Sequence, residues 1–196
     1  MLWTRSARFK AIVLLVIALG ACGQVSEHCG TKGNPDVPIG GDFQLTNHLG
    51  QLATNDSYAN RYRIVYFGFT FCPDICPTEL QSISAALDMM GEQATEFQPL
   101  FITIDPDRDD VAAMATYLEH FHPSFIGLTG TPAAIEQTAH AYKLYFAKAS
   151  SFEDPNDYTM DHSSFIYIMD CEGRYIRHLS QGASPKEIAR ILSELN

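Results

Sequence analysis

Cys72 and Cys76, with His162 far downstream, are the residues of this 196-residue chain whose types and spacing offer chemistry. The thiols lie in the run Gly68-Phe69-Thr70-Phe71-Cys72-Pro73-Asp74-Ile75-Cys76-Pro77, and the imidazole in Asp161-His162-Ser163. Thiols four residues apart at the start of a helix project from one face of its first turn. Two soft sulfurs and an imidazole form a low-coordinate donor set that favours copper, Cu(I) above all, over magnesium or calcium. Cu(II) would recruit a further oxygen or nitrogen ligand. A helix N-terminus beneath the pair would also lower a thiol pKa and supply thiolate, for metal or for disulfide exchange.

The elements that must position these groups alternate along the chain. The spacing predicts a short hairpin over 43–52, turning around 47–50, and an apolar strand over 63–69. A helix follows over 77–90, with Leu80, Ile83, Leu87 and Met90 at helical spacing and Gly91 to stop it. Pro77 suits its first turn, where the missing N–H costs little. A strand over 100–104, a helix over 109–121 with acids at its start, and a short strand over 125–128 come next. Thr131-Pro132 opens a helix to about residue 142. Runs 164–169 and 174–179 read as a hairpin, and Ser184-Pro185 begins the last helix. This order describes an α/β chain with a central mixed sheet flanked by helices. With a cysteine pair opening the first long helix, it looks like the thioredoxin fold with an N-terminal β-hairpin and an inserted helix and loop.

The beginning of the chain carries Arg5, Arg8 and Lys10, nine apolar residues over 11–19, and then Leu19-Gly20-Ala21-Cys22. Positive, apolar, small describes a secretory signal, and the apolar stretch is short for a membrane span. The cysteine after the small residues resembles the lipobox of bacterial lipoproteins, which implies cleavage before Cys22 and lipid attached to it. An uncleaved N-terminal anchor is the alternative. Both place the body outside the cytoplasm, periplasm-facing and tied to a membrane of a bacterial envelope. The expected organisation is a signal over 1–21, a tether over 22–35 and one domain over 36–196, long enough for a real core. Losing three basic and no acidic residues takes the formal charge from −10 to −13. A body so acidic lacks the basic stripes of a nucleic-acid binder, and its carboxylates serve solubility.

Of the five cysteines, Cys29 falls in the tether and Cys171 in Asp170-Cys171-Glu172-Gly173, a hairpin turn. An exported compartment permits disulfides. Whether Cys29 pairs with Cys171, or Cys72 closes on Cys76, is left open by the sequence.

Thioredoxin-like oxidoreductases carry Cys-x-x-Cys, whereas the spacing here is Cys-x-x-x-Cys. The segment Phe71 to Pro77, the run Ile102-Thr-Ile-Asp105-Pro-Asp107-Arg108-Asp109, and Asp161-His162-Ser163 together closely resemble the SCO/SenC family, over residues 36–196. Proteins of that family are copper-binding assembly factors for cytochrome c oxidase. The resemblance implies that Cys72, Cys76 and His162 bind one copper, for assembly of the binuclear copper site of cytochrome c oxidase subunit II. A monomer is expected. Where thioredoxins place a cis-proline facing their cysteines, the matching segment here offers Asp161-His162-Ser163. The rival reading is a thiol–disulfide oxidoreductase acting on the cysteines of that subunit or of another exported protein, for which only Cys72 and Cys76 are essential. A thiol peroxidase or redox sensor would need one activated cysteine, and neither the Cys-Pro-x-x-Cys-Pro frame nor His162 serves that chemistry.

The remaining candidates read as structural. Asp74 is expected to cap the helix. Asp161 either orients His162 or is an exposed loop carboxylate. The acids of 105–110 suit a strand end leading into a helix cap better than a cation site. Met160 reads as core filler, and Phe67, Phe69 and Phe71 as alternating core residues of one strand. For the polar stretch 150–158, the family resemblance implies a flexible loop that delivers His162. His28-Cys29, a lone pair on the tether, is weak evidence for an auxiliary metal contact, and the other histidines form no second cluster.

Overall fold

The computed structural model describes residues 29–150 and 158–195. The expected signal over 1–21, Cys22, His28 and the centre of the expected loop over 150–158 lie outside the described residues.

Two strands form the centre. β3 (Tyr62–Gly68) and β4 (Phe97–Thr103) are buried at every position and pair in parallel. A strand covered on both faces is written as a continuous apolar run rather than an alternation, which is why β3 is plain in the sequence. β4 starts three residues before the expected position, because Gln98 is tolerated inside: its buried amide donates to the Ser124 carbonyl at 2.6 Å. β5 (Ile126–Thr129) continues the parallel set beside β4. The hairpin of β1 (Gln44–Asn47) and β2 (Leu52–Thr54) joins antiparallel to β5. On the other side β8 (Phe165–Met169) and β9 (Tyr175–Ser180) run antiparallel to β3 and to each other. The seven strands stand in the order β2-β1-β5-β4-β3-β8-β9, a mixed sheet as expected.

Four helices flank this sheet. α1 (Ile75–Met90) buries Leu80, Ile83 and Leu87 and packs against α4 (Pro185–Ser193). α2 (Val111–Leu118) lies on β5 and is shorter than expected, with Asp110 accepting the Ala113 N–H at its start. α3 (Pro132–Ala141) and α4 open alike: Thr131 and Ser184 accept the N–H three residues on, and proline fills the first helical position. Among the described residues no helix is long and apolar enough to cross a membrane.

Two more strands flank the expected flexible loop and take in its end residues, 150 and 158. β6 (Phe146–Ser150) and β7 (Tyr158–His162) form an antiparallel ladder of their own, outside the main sheet. His162 is therefore the last residue of a paired strand.

The N-terminal segment is fastened to the body from residue 29 on, so the last residues of the expected tether are laid against the domain. Cys29 is disulfide-bonded to Cys171, with their Cα atoms 6.0 Å apart. Thr31 N–H donates to the Tyr62 hydroxyl, which donates in turn to the Leu195 carbonyl. Asp170 is the hub of this end. It accepts the N–H groups of Gly33, Glu172 and Arg174 and the Arg174 guanidinium. Burial pushes its carboxyl up, but these donors outweigh it and hold the group below the ordinary carboxylate range. Beside it the fully buried Arg63 donates to the carbonyls of Asn55 and Cys171. Gly173, at φ +81°, leaves room for that guanidinium, which any Cβ there would strike.

Opening the bridge, which spans a sequence separation of 142, by Cys29→Ser with Cys171→Ser should cost about 2–5 kcal/mol of unfolding free energy. Urea titration of the paired variants reads this, and an unchanged midpoint would contradict it. Asp170→Asn should lose about 1.5–3 kcal/mol at neutral pH, as expected for charge-assisted hydrogen bonds. Because the folded-state pKa is depressed, the wild-type advantage is present above the unfolded carboxylate value of about 3.9 and is lost as pH falls through the folded one. Unfolding curves taken at descending pH should therefore converge for the two proteins.

Candidate metal centre

The cysteine turn hangs from the end of β3. Thr70 gives its N–H and its hydroxyl to the buried carboxylate of Asp109, which also takes the Thr103 hydroxyl at 2.6 Å from the end of β4. One carboxylate thus ties together the ends of the two central strands, and burial pushes its pKa up. The chain then turns, with Cys72 N–H donating to the Phe69 carbonyl at 3.2 Å, and enters α1. Asp74 does not cap that helix with its side chain, which is exposed and makes no cap bond. The Cys72 sulfur does so instead, accepting the Cys76 N–H at 3.3 Å. A thiolate serves an orphan helix-end donor as an oxygen would. Cys76 is fully buried beneath Gly68, where a Cβ would come within 2.8 Å of its sulfur. Only glycine lets the strand end and the helix start approach so closely.

His162 reaches this turn from β7. Its Nδ1–H donates to the Ser163 carbonyl at 3.0 Å, since a carbonyl can only accept, which leaves Nε2 as the free lone pair. Nε2 faces the Cys76 sulfur at 3.7 Å, and the ring stands edge-on to Phe69 with centroids 6.2 Å apart. The Ser163 carbonyl therefore fixes the tautomer, a role that metal-ligating histidines commonly give to such a partner. Asp161 points the other way: it is exposed, and its carboxylate has no hydrogen bond among the described residues. Nearby, the Tyr66 hydroxyl meets Ser164 Oγ at 3.1 Å, and burial followed by the neighbouring Cys76 raises its pKa, so the phenol stays neutral.

The two thiols differ in kind. The Cys76 thiol, together with the amides of Cys76, Asp74 and Ile75, faces the half-buried Cys72 sulfur and holds its pKa down to about 5. The same hydrogen bond to Cys72, and then burial, push Cys76 up. Both shifts run the same way and favour a shared proton on Cys76 over Cys72. Among the described residues no three His, Cys, Asp or Glu side chains stand preassembled around one point. Cys76 and His162 already meet, whereas the Cys72 sulfur is turned to the helix amide. A soft metal fits this donor set: a thiolate, a thiol with a displaceable proton, and an imidazole whose Nε2 is directed at sulfur.

The other candidates settle into the fold. Met160 is buried in the core. Phe67 and Phe69 are buried as expected, but Phe71 is 62% exposed, because the strand has ended and the pinned Thr70 breaks the alternation. His48 Nδ1 accepts the Gly127 N–H, and His122 Nδ1 meets Ser124 Oγ at 2.7 Å, both structural roles. The buried Asp105 and Asp109 were not legible as internal clamps, because their partners Thr70 and Tyr158 lie in other segments.

In the reduced, metal-free protein, the iodoacetamide reaction of Cys72 should rise with a midpoint near pH 5 rather than near the ordinary thiol value of about 8.5. Cys76→Ala removes the largest stabilising contact and should move that midpoint upward. A midpoint unmoved by the substitution would show that the amides alone set the thiolate.

The chain is similar in sequence and fold to known proteins. The family model described as SCO1/SenC matches residues 31–196. An SCO2-like protein of Rickettsia conorii is 41% identical over 157 residues, covering 80% of this chain and 77% of that one. Bradyrhizobium japonicum ScoI, solved with copper bound, superposes with a TM-score of 0.75 at 40% identity, over 81% of this chain and 99% of that one. Yeast Sco1, also solved with copper bound, gives a TM-score of 0.73 at 38% identity, over 80% of this chain and 87% of that one. The fold is thus the thioredoxin-like one expected. By sequence and architecture, the chain belongs to the SCO1/SenC family.

Proposed function

We propose that this protein is a membrane-tethered copper metallochaperone that holds one copper through Cys72, Cys76 and His162 and delivers it to the binuclear copper site of cytochrome c oxidase subunit II. The observation that carries this reading is the imidazole Nε2 held 3.7 Å from the buried Cys76 sulfur, with Nδ1 committed to the Ser163 carbonyl. Thiol exchange alone has no need of a histidine so arranged. Relatives of similar sequence solved with copper bound support the cargo. Loading Cu(I) displaces the single proton that the thiols share, and the accessible Cys72 is the donor from which an incoming ligand can take the ion by exchange. Cu(II) would take a further oxygen or nitrogen donor. Lipid on Cys22 would place this chemistry at the outer face of a bacterial cytoplasmic membrane or elsewhere in the envelope.

One observation favours a second reading. A low-pKa, half-buried Cys72 beside a fully buried Cys76 is the arrangement of an attacking and a resolving thiol, as a thiol–disulfide reductase requires.

The two readings separate on the full chain in detergent, with Cys72 and Cys76 reduced and the Cys29–Cys171 bridge left closed. One Cu(I) per chain should survive a competing chelator. Cys72→Ser and Cys76→Ser should each abolish tight binding, and His162→Ala should weaken it by at least the roughly 10–100-fold typical of outer-shell losses. Binding indifferent to His162→Ala, together with rapid reduction of a disulfide substrate, would move the function to the reductase.

A further inference from the structure

The ladder of β6 and β7 stands outside the main sheet, so something other than sheet pairing must aim His162 at Cys76. Along β7, Tyr158, Met160 and His162 alternate with the exposed Thr159 and Asp161. Side chains two apart share a strand face, so the same face that turns Tyr158 inward turns His162 toward the thiols. A slip of one residue would present Asp161 instead.

We infer that Arg108 is the positioning residue that fixes this facing, by joining the cysteine turn to the start of β7. Its guanidinium carbon lies 3.8 Å from the centroid of the Tyr158 ring and 4.7 Å from that of Phe71, the residue before Cys72. Nη1 donates to the Tyr158 carbonyl at 3.1 Å, and Nε pairs with Asp105, which is fully buried. Asp105 in turn accepts the Tyr158 hydroxyl at 2.8 Å, so Tyr158 is held by backbone, ring and hydroxyl at once. Nη2 is buried with no hydrogen-bond partner among the described residues, consistent with a guanidinium whose surroundings are largely aromatic faces. Lys148, opposite Met160 on β6, adds an exposed ion pair to Asp107 and lies 4.6 Å from the same ring. Exposed pairs contribute little; the ladder is fastened by Arg108, by the Tyr158 hydroxyl on Asp105, and by packing of Met160, Phe146 and Tyr158 against the core. Arg108 touches neither thiol nor imidazole in any contact of the structure. Its action on metal would run through the orientation of β7 and, by way of Phe71, through the turn that carries Cys72.

This inference rests on the three-ligand reading above, and a double-mutant cycle tests the two separately. Cu(I) affinity is measured by chelator competition for the full-length wild type, Arg108→Met, His162→Ala and the double variant; methionine keeps the length of the stem and removes the charge and the donors. Arg108→Met should weaken binding by about 10–100-fold, as outer-shell losses do, and by no more than His162→Ala does. In the His162→Ala background it should weaken binding little further, because the group it positions is gone. Equal losses in both backgrounds would overturn the inference, as would wild-type affinity in Arg108→Met beside a weakened His162→Ala. An unchanged His162→Ala would overturn the three-ligand reading, and the inference with it. A metal-free measurement stands beside these. Amides of 158–162 should exchange faster in Arg108→Met while those of β3 and β4 do not, and unaltered exchange in β7 would count against Arg108. Should Arg108→Met fail to fold, Phe71→Leu, at a position 62% exposed, is carried through the same cycle with the same outcomes decisive.

Discussion

Burial of Cys76 at the first turn of α1 is the constraint on which the rest of the site depends. Its sulfur sits beneath Gly68, beside Tyr66 and against His162, with no exposure to water. A thiol in that position is a poor acid on its own, and its proton is retained until a metal or a second sulfur takes its place. Cys72, four residues earlier, occupies the opposite environment. It faces three amides at the start of a helix, where the macrodipole and the unpaired N–H groups both favour an anion. The asymmetry follows from where the helix begins. Entering α1 at Ile75 puts one cysteine before the first turn and the other inside it.

The close approach of strand end and helix start is secured by groups that are themselves costly to bury. Asp109 loses its solvation to bind Thr70 and Thr103, and Asp105 does so to bind Arg108 and Tyr158. Each carboxylate sits between segments distant in sequence, and each is satisfied by several donors, which is the condition under which a buried charge is tolerated. Removing one donor would leave the carboxylate with fewer bonds to offset its lost solvation. The cysteine turn and the histidine strand are thereby held by separate carboxylates of one short run, 105–109, which connects the end of β4 to α2.

Much of this was legible in the chain, and the failures have physical causes. β3 and α1 stand out because a doubly covered strand and a half-buried helix leave strong and different periodicities. Thr131-Pro132 and Ser184-Pro185 mark their helices because the cap and the fixed proline φ act locally. Cys72, Cys76 and His162 stood out as candidates from residue chemistry and from family resemblance, and the fold brings His162 to Cys76, but the asymmetry of the thiols was not legible, since helix-end amides and burial exist only in the fold. β6 and β7 were missed because Phe-Ala-Lys-Ala-Ser carries little strand preference, and Lys148 and Tyr158 are held by Asp107, Asp105 and Arg108 from elsewhere. Asp74 looked like a cap because it has the residue type for one, yet a sulfur had already taken the amide. The pairing of Cys29 with Cys171 could not be read at a separation of 142 residues, where only the fold decides which thiols meet.

The four cysteines of the described body are divided by the direction of β3. Cys171 follows β8, whose end, Met169, pairs with Arg63 at the start of β3, whereas Cys72 follows the end of β3 at Gly68. Seven residues of strand, about 23 Å at the usual rise, separate the two ends. A closed bridge therefore anchors the N-terminal segment at one end of the sheet, and the free thiols lie at the other. Under the lipid anchoring proposed for Cys22, the chain from there to Cys29 can extend no further than about 25 Å. The body would then be held near the membrane by its bridged end, and the thiols and imidazole would be turned away from it. The same separation keeps exchange between the two cysteine pairs sterically remote, so an oxidising compartment can close the structural bridge without drawing on Cys72 and Cys76.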